Sequence, residues 1–255
     1  MTENPNSTDR IRSLLVIVAT LGTIAFNFMA AAGRINGTTP EEISAKYETL
    51  VTPAGYAFAV WSLIYAGMIA FSVYQLLPSN VVKFRSIRTF YVLSCALNCG
   101  WIYFWHHDQI VVCLILILLL AVSLFLINLN LRVTETPGEY WLVKAPFGIY
   151  FGWITAAALV NFAVLLVHLN FQMSESAWTI ISVTLILFAA LLGILVRLRL
   201  ANDLYPLAIA WALTAIAVKQ SGHTAVVVAC AIGVVTSLIS TLSFVVNLPS
   251  TLTKK

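Results

Sequence analysis

Eight long apolar segments follow one another along this chain of 255 residues, of which 60% are hydrophobic and 9% are charged. A helix needs about 20 apolar residues to cross a hydrocarbon core of roughly 30 Å. The segments are continuously apolar, without the strict alternation of a membrane barrel, and therefore predict helices. We place the spans at residues 12–33, 55–77, 88–105, 110–131, 142–167, 177–196, 204–219 and 223–247. The sequence thus predicts an all-α polytopic membrane protein with eight spans.

Two of these segments allow another interpretation. The first ends in small residues, as a signal peptide does, but its apolar run is longer than the usual signal core of roughly 7–15 residues. We therefore expect an uncleaved span. The seventh is short and contains Pro206. We keep it as a span, because removing it would put Lys219 on the same side of the membrane as Arg197 and Arg199.

The basic residues predict the orientation of the chain. With eight spans, eleven of the fourteen Lys and Arg residues fall on one side of the membrane, and only Arg34, Lys46 and Lys219 fall on the other. The side rich in Lys and Arg is normally cytoplasmic, so both termini are predicted to be cytoplasmic. No basic patch with interleaved aromatic residues is visible, which argues against nucleic acid as a partner. We expect contact with the lipid bilayer.

The longest loop, residues 34–54, connects the first two spans. Within it, Thr39 is placed to cap a helix, Pro40 suits the first helical position, and Glu41 and Glu42 fall in the first turn. This pattern predicts a short surface helix that packs over the outer mouth of the bundle. A solvated linker without a role is the alternative.

Charged and metal-binding side chains are scarce inside the spans. We expect no span to contain a well-buried Asp, Glu, Lys or Arg. Proton-coupled pumps and ion-driven transporters normally carry such groups at bilayer depth, so this expectation argues against both classes. Lys219, at the end of the seventh span, is interpreted as an interfacial anchor rather than a retinal-binding lysine. The four cysteines lie inside spans, where thiols behave as small hydrophobic groups. We expect neither a disulfide nor a metal site.

Aromatic and amide side chains recur at helical spacing in three segments. We interpret these three helix faces as walls of a ligand cavity. An interfacial aromatic belt, combined with small residues that pack helix against helix, is the alternative. An unpaired amide inside an apolar segment is costly, so the two asparagines should face the bundle. The candidate ligand-binding residues are Phe58, Trp61, Tyr65, Asn98, Trp101, Trp153, Ala157 and Asn161.

Three motifs carry a resemblance to a known family. The stretch from Pro53 to Tyr65 resembles the second-helix signature of the TspO/MBR family, the tryptophan-rich sensory proteins related to the mitochondrial translocator protein. "LNCGWIYFW" at 97–105 is similar to that family's third-helix Leu-Asn-x-x-Trp motif. "WITAAALVNF" at 153–162 is similar to its fifth-helix pattern. The motifs occur in family order and cover residues 12–168.

The resemblance implies a five-helix bundle around a pocket that binds porphyrins such as protoporphyrin IX and haem. A cavity walled by rings suits a flat macrocycle, since stacking and buried area supply most of the affinity. By resemblance, Trp61 and Trp153 match two tryptophans implicated in porphyrin binding and in light-dependent porphyrin breakdown. The other candidate residues match pocket or packing positions. We expect no obligatory cofactor, and protoporphyrin IX or haem as a ligand.

The sequence also departs from the compact members of that family. The Gly-Pro and paired prolines before the second-helix tryptophan are missing, and the residues that follow Asn161 do not match the animal steroid motif. Three further spans follow the core, so the family's dimer is not carried over. The predicted organisation is a polar tail at 1–11, a TspO-like five-helix core at 12–168 and a three-helix extension at 169–255.

The function that this pattern predicts is binding of a tetrapyrrole or a similar planar apolar ligand, in sensing, scavenging or trafficking. The membrane would be a bacterial inner membrane or an equivalent one. A small-molecule transporter and an assembly factor for membrane or pigment proteins remain alternatives. Light-dependent porphyrin degradation is a weaker, enzymatic version of the same hypothesis.

Overall fold

The structure, a computed structural model, describes residues 6–242. Residues 1–5 of the predicted tail and residues 243–255, which include the end of the predicted eighth span, lie outside this range. All the long elements of the described part are helices. Its elements are α1 (Ser7–Ala31), α2 (Pro40–Lys46), a 3₁₀ turn (Gly55–Ala59) that leads into α3 (Val60–Tyr74), α4 (Arg85–Trp105), α5 (Ile110–Asn130), α6 (Pro137–Glu139), a π-helical turn (Tyr140–Lys144) that leads into α7 (Ala145–His168), α8 (Glu175–Leu200), α9 (Leu204–Lys219) and α10 (Thr224–Leu242).

The eight long helices alternate in direction, and side-chain contacts identify the two ends of the bundle. At the end covered by residues 34–54, which we call the lid segment, Lys219 Nζ lies 2.8 Å from Glu48 Oε1. At the opposite end, which we call the basic end, the Arg85 guanidinium donates two hydrogen bonds of 2.7 Å to the Asp9 carboxylate. The lid segment and the starts of α1 and α4 therefore lie at opposite ends.

Five helices close into a ring. α1 contacts α3 and α4, α4 contacts α5, α5 contacts α7, and α7 returns to α3. α1 lies between α3 and α4 and is hydrogen-bonded to both of them. Thr20 Oγ1 lies 2.6 Å from Ser72 Oγ of α3 and 2.5 Å from Tyr91 Oη of α4. This ring is the predicted five-helix core.

The last three helices form a group of their own that is fastened to the ring through α9. α8, α9 and α10 contact one another, and α9 also lies along α7. The two helices approach closely at Gly152, where a Cβ would lie 2.5 Å from the main-chain oxygen of Tyr205. The hydroxyl of Tyr205 also donates a hydrogen bond of 2.9 Å to Thr155. Glycine is required on α7 because any side chain there would push α9 away.

Six helical stretches among the described residues are long and apolar enough to cross a membrane: the five that contain α1, α3, α5, α8 and α10, and Pro137–His168, which contains α7. α9 is apolar but has 16 residues, and α4 is less apolar. Large apolar side chains cover the outward faces, as at Val18 and Leu21 on α1 and Ile115 on α5. An apolar outer surface of this extent is what a bilayer covers. The protein is an all-helical membrane protein, and the count of eight spans stays a prediction.

Two features at the basic end differ from expectation. α1 begins at Ser7, inside the predicted tail, because Asn6 and Asp9 form a capping box that starts the helix early. The expectation that no span contains a buried charge was wrong, since Arg88 and Lys144 are 1% and 5% exposed. Both charges lie near the start of a span and have polar partners: Arg88 Nε donates to Gln75 Oε1 over 2.8 Å, and Lys144 Nζ donates to a main-chain oxygen over 2.6 Å.

The lid segment contains the helix that its sequence predicted. Thr39 caps α2, with its hydroxyl accepting from the main-chain N–H of Glu42 over 3.2 Å, and Pro40 occupies the first turn. α2 contacts α4. The alternative of a free linker is wrong.

Candidate functional site

The ring encloses a cavity below the lid segment. It has a volume of about 50 Å³ and is walled mainly by apolar and aromatic side chains of α3, α4 and α7. Of the eight candidate residues, the structure places six on this wall: Phe58, Trp61, Trp101, Trp153, Ala157 and Asn161.

The rings of the wall contact one another across helices. Phe58, from the turn before α3, packs its edge against Trp153 of α7 with centroids 6.0 Å apart. Trp61 stacks on Tyr65 at 5.5 Å, and Trp101 stacks on Trp105 at 5.3 Å. Offset stacking and edge-to-face contacts are the favourable arrangements for aromatic pairs. The motifs of three helices therefore meet in one aromatic cluster.

The cavity has few polar groups, and only some of them have hydrogen-bond partners in the protein. The Trp101 indole N–H donates to Asn161 Oδ1 over 3.0 Å, and Asn161 Nδ2 donates to the main-chain oxygen of Ala157 over 2.9 Å. By contrast, neither the Trp61 nor the Trp153 indole N–H donates a hydrogen bond within residues 6–242. These two donors are available to a bound molecule.

The two other candidate residues lie beside the central cavity. Tyr65 lines a neighbouring groove between α1 and α3, which has a volume of about 340 Å³. Asn98 is fully buried and accepts a hydrogen bond of 2.7 Å from Asn27 of α1. It pairs with that amide between α1 and α4 and does not line the cavity. Its position fits the expectation that an amide inside a span faces the bundle and finds a partner.

Several residues of the wall were absent from the candidate set. Trp105 lies four residues after Trp101, so its helical spacing was a usable signal. Pro40 and Ser44 of α2 line the cavity on the side of the lid segment. Ala212 and Ile216 come from α9. α9 is uniformly apolar, so its sequence gave no signal that one face reaches the cavity.

Hydrogen bonds and ion pairs attach the lid segment to the helix ends around the opening of the central cavity, which we call the mouth. Lys46 and Tyr47 both bond to the carboxylate of Asp108, which lies between α4 and α5. Gln220, after α9, donates to the main-chain oxygen of Thr49 over 3.0 Å. The Lys46 ammonium beside Asp108 holds the pKa of that carboxyl below its usual value, and Lys219 does the same for the pKa of Glu48. Both the ring and the C-terminal helices therefore hold the lid segment down.

The histidines near the mouth are engaged in the fold. His106 is buried, and its Nδ1 lies 2.7 Å from the main-chain oxygen of Ile102. His168 packs against Tyr47 with ring centroids 5.8 Å apart. Neither lines the central cavity.

Comparison with known proteins identifies the family. A family model described as TSPO-like protein matches residues 13–243, from α1 to the end of α10, so the match covers the ring and the three C-terminal helices. Comparisons with curated proteins and with solved structures gave no significant match. The resemblance seen in three motifs of the ring is confirmed over almost the whole chain. This multi-pass integral membrane protein belongs to the family of TSPO-like proteins.

Proposed function

We propose that the central cavity binds a planar apolar molecule, namely a tetrapyrrole such as protoporphyrin IX or haem, and that the protein acts in sensing, scavenging or trafficking of that ligand. The observation that carries the proposal is the aromatic wall, in which Phe58, Trp61, Trp101, Trp105 and Trp153 surround one cavity. Rings of this kind stack on a flat ligand and supply apolar area at low entropic cost.

The free indole N–H groups of Trp61 and Trp153 give the cavity its orienting donors. They come from α3 and α7, and Trp153 makes an edge-to-face contact with Phe58. A ligand that stacks on these rings and accepts one such hydrogen bond would be fixed in orientation as well as depth. Small pockets commonly combine an apolar wall with a few polar groups in this way.

The cavity as it stands is too small for the proposed ligand. A volume of about 50 Å³ is far below the roughly 300–1,000 Å³ of sites that enclose small-molecule ligands. Binding therefore requires the lid segment and some of the rings to move. The ion pairs that hold the lid segment lie at the protein surface and cost little to break, whereas Ile43 and Val51 of this segment are buried and would have to leave their apolar contacts. We place the mouth at the outer face of the membrane and the basic end in the cytoplasm.

Titration of the purified protein in detergent tests the proposal. Protoporphyrin IX and haem are added separately, and tryptophan quenching and the Soret band are followed for the wild type, Trp61→Phe and Trp153→Phe. Saturable binding that both changes weaken about tenfold or more, the effect of a smaller stacking surface and one lost donor, supports the proposal.

The matched control is Trp141→Phe, because Trp141 is 60% exposed and lies at the basic end. It should bind as the wild type does. Absence of saturable binding, or binding that is indifferent to both cavity changes, would show that the fold is present without this ligand.

A further inference from the structure

A groove between α1 and α3 adjoins the central cavity at the lid end. It has a volume of about 340 Å³ and shares Pro40, Phe58, Trp61 and Trp101 with the wall of that cavity. The same indole and phenyl rings therefore face both spaces. A ligand that displaces one of these rings from its closed position would occupy the two spaces together.

The groove combines aromatic rings with oxygen-bearing side chains. Phe28 of α1 and Tyr65 of α3 add two rings to the three that it shares with the cavity. The amide of Asn27 and the hydroxyl of Ser62 also line it. Faces of aromatic rings carry partial negative charge and attract cations.

Glu41 is the one charged residue among the described residues that line the groove or the central cavity. Its carboxylate forms no ion pair within residues 6–242. The lysines of the lid end are engaged elsewhere, Lys46 with Asp108 and Lys219 with Glu48. Arg34, the arginine of the lid segment, does not line the groove. The groove therefore has a net negative charge from one unpaired carboxylate.

Glu41 is an exposed residue, and the fold places its carboxylate beside the groove. Pro40 sets the start of α2, so Glu41 falls in its first turn. The side chain then lies directly against the main chain of Gly55, where a Cβ would overlap Glu41 Oε1. Glycine at position 55 leaves the space that the carboxylate occupies. The position of Glu41 is thus a consequence of packing between the lid segment and the start of α3.

We propose that the groove is a subsite for a positively charged group, an organic ammonium or a similar cation carried at the edge of a planar ligand. This inference rests on the proposed function, since it requires that the flat part of such a ligand enter the adjoining central cavity. Aromatic faces and a carboxylate together favour a cation, and the same carboxylate repels an anion. A protoporphyrin, whose propionates lie along one edge, would bind with that edge turned away from Glu41.

Three pyrene probes that differ in one substituent test the charge preference. 1-Pyrenemethylammonium, 1-pyrenemethanol and 1-pyrenecarboxylate share one flat ring system, and energy transfer from tryptophan to pyrene reports their binding in a neutral detergent. The measured quantity is the ratio of the dissociation constant of the carboxylate to that of the ammonium. We expect this ratio to fall about threefold or more in Glu41→Gln, the scale of one partly exposed charge interaction acting with opposite sign on the two probes. Pyrenemethanol should bind both proteins equally.

Glu175→Gln is the matched control, because Glu175 is an exposed carboxylate at the same end that lies outside the groove. Its ratio should equal that of the wild type. Saturable binding of pyrenemethanol with an unchanged ratio in Glu41→Gln, or an equal fall in both variants, would overturn the cation subsite and leave the cavity standing. Failure of pyrenemethanol itself to bind would instead contradict the proposed function.

Discussion

The indole N–H of Trp101 donates a hydrogen bond of 3.0 Å to Asn161 Oδ1, and this bond joins α4 to α7 at the wall of the central cavity. Trp101 is 8% and Asn161 3% exposed. A buried donor or acceptor that loses its partner retains its desolvation cost. The two residues should therefore stabilise the ring as a pair.

Removing both partners of this pair should lower the free energy of unfolding by less than the sum of the two single losses. We expect Trp101→Phe and Asn161→Leu each to reduce the free energy of unfolding by about 1–3 kcal/mol. The double variant should lose less than the sum, since no unpaired group remains. Thermal and denaturant unfolding in detergent measure this, with the exposed Trp141→Phe as control. Additive losses would contradict the pairing.

The contact between α7 and α9 depends on Gly152. A Cβ there would lie 2.5 Å from the Tyr205 main-chain oxygen and 2.8 Å from the Cβ of Ala208, so Gly152→Ala must shift one helix. We expect a loss of about 1–3 kcal/mol, as for other overpacked sites.

Gly22 of α1 is the matched control, because a Cβ there meets nothing within 4 Å. Gly22→Ala should leave stability unchanged or raise it by up to about 1 kcal/mol, the helix preference of alanine over glycine. Unfolding midpoints of the two variants are compared in the same detergent. If Gly152→Ala is as stable as Gly22→Ala, then α9 does not lie against α7 as described.

The carboxylate of Asp108 should restrain the lid segment. Asp108→Asn removes the ion pair with Lys46 and weakens the hydrogen bond from Tyr47. Exposed pairs of this kind contribute about 0.2–1 kcal/mol, so we expect amide hydrogen exchange in residues 40–54 to rise up to about fivefold. Glu135→Gln, which alters an exposed carboxylate at the basic end, should leave that exchange unchanged. Equal exchange in Asp108→Asn and the wild type would show that the lid segment is held by its other contacts.

Acid should release the same segment. Lys46 lowers the pKa of Asp108 and Lys219 lowers the pKa of Glu48, from ordinary values of 3.8 and 4.5. A carboxylate with a lowered pKa contributes its full stabilisation above its unfolded pKa and loses it as the pH falls through the folded one. Exchange in residues 40–54, corrected for intrinsic rates, should therefore stay constant from about pH 7 to about pH 5 and rise below about pH 4. A rise between pH 7 and pH 5 would point to another group.

Several parts of this protein follow from local sequence. The cap of α2 was predictable because Thr39, Pro40 and Glu42 act within one turn and need no distant contact. The apolar segments were predictable because a bilayer requires about 20 apolar residues for each crossing. The aromatic faces were predictable because Trp61 and Tyr65, or Trp101 and Trp105, fall on one helix face by spacing alone.

Other parts depend on contacts between segments that are far apart in the chain. Asn98 has the same residue type and a comparable depth to Asn161, yet it pairs with Asn27 of α1, while Asn161 lines the cavity. Arg88 is buried because α1, α3 and α4 meet around it, and no local pattern distinguishes it from an interfacial arginine. Local spacing shows which side chains share a face, but it does not show which helix covers that face.

The sequence alone determined that the chain is a bundle of membrane helices with aromatic faces and a capped helix in its longest loop. Tertiary structure decided that α9 completes the cavity with Ala212 and Ile216, that Glu41 lies against Gly55, and that the cavity is small. The physical reason is how far apart along the chain the interacting residues lie. Bilayer thickness, helical periodicity and capping act within one segment, whereas closure, charge placement and cavity volume depend on side chains that helix packing brings together from distant positions.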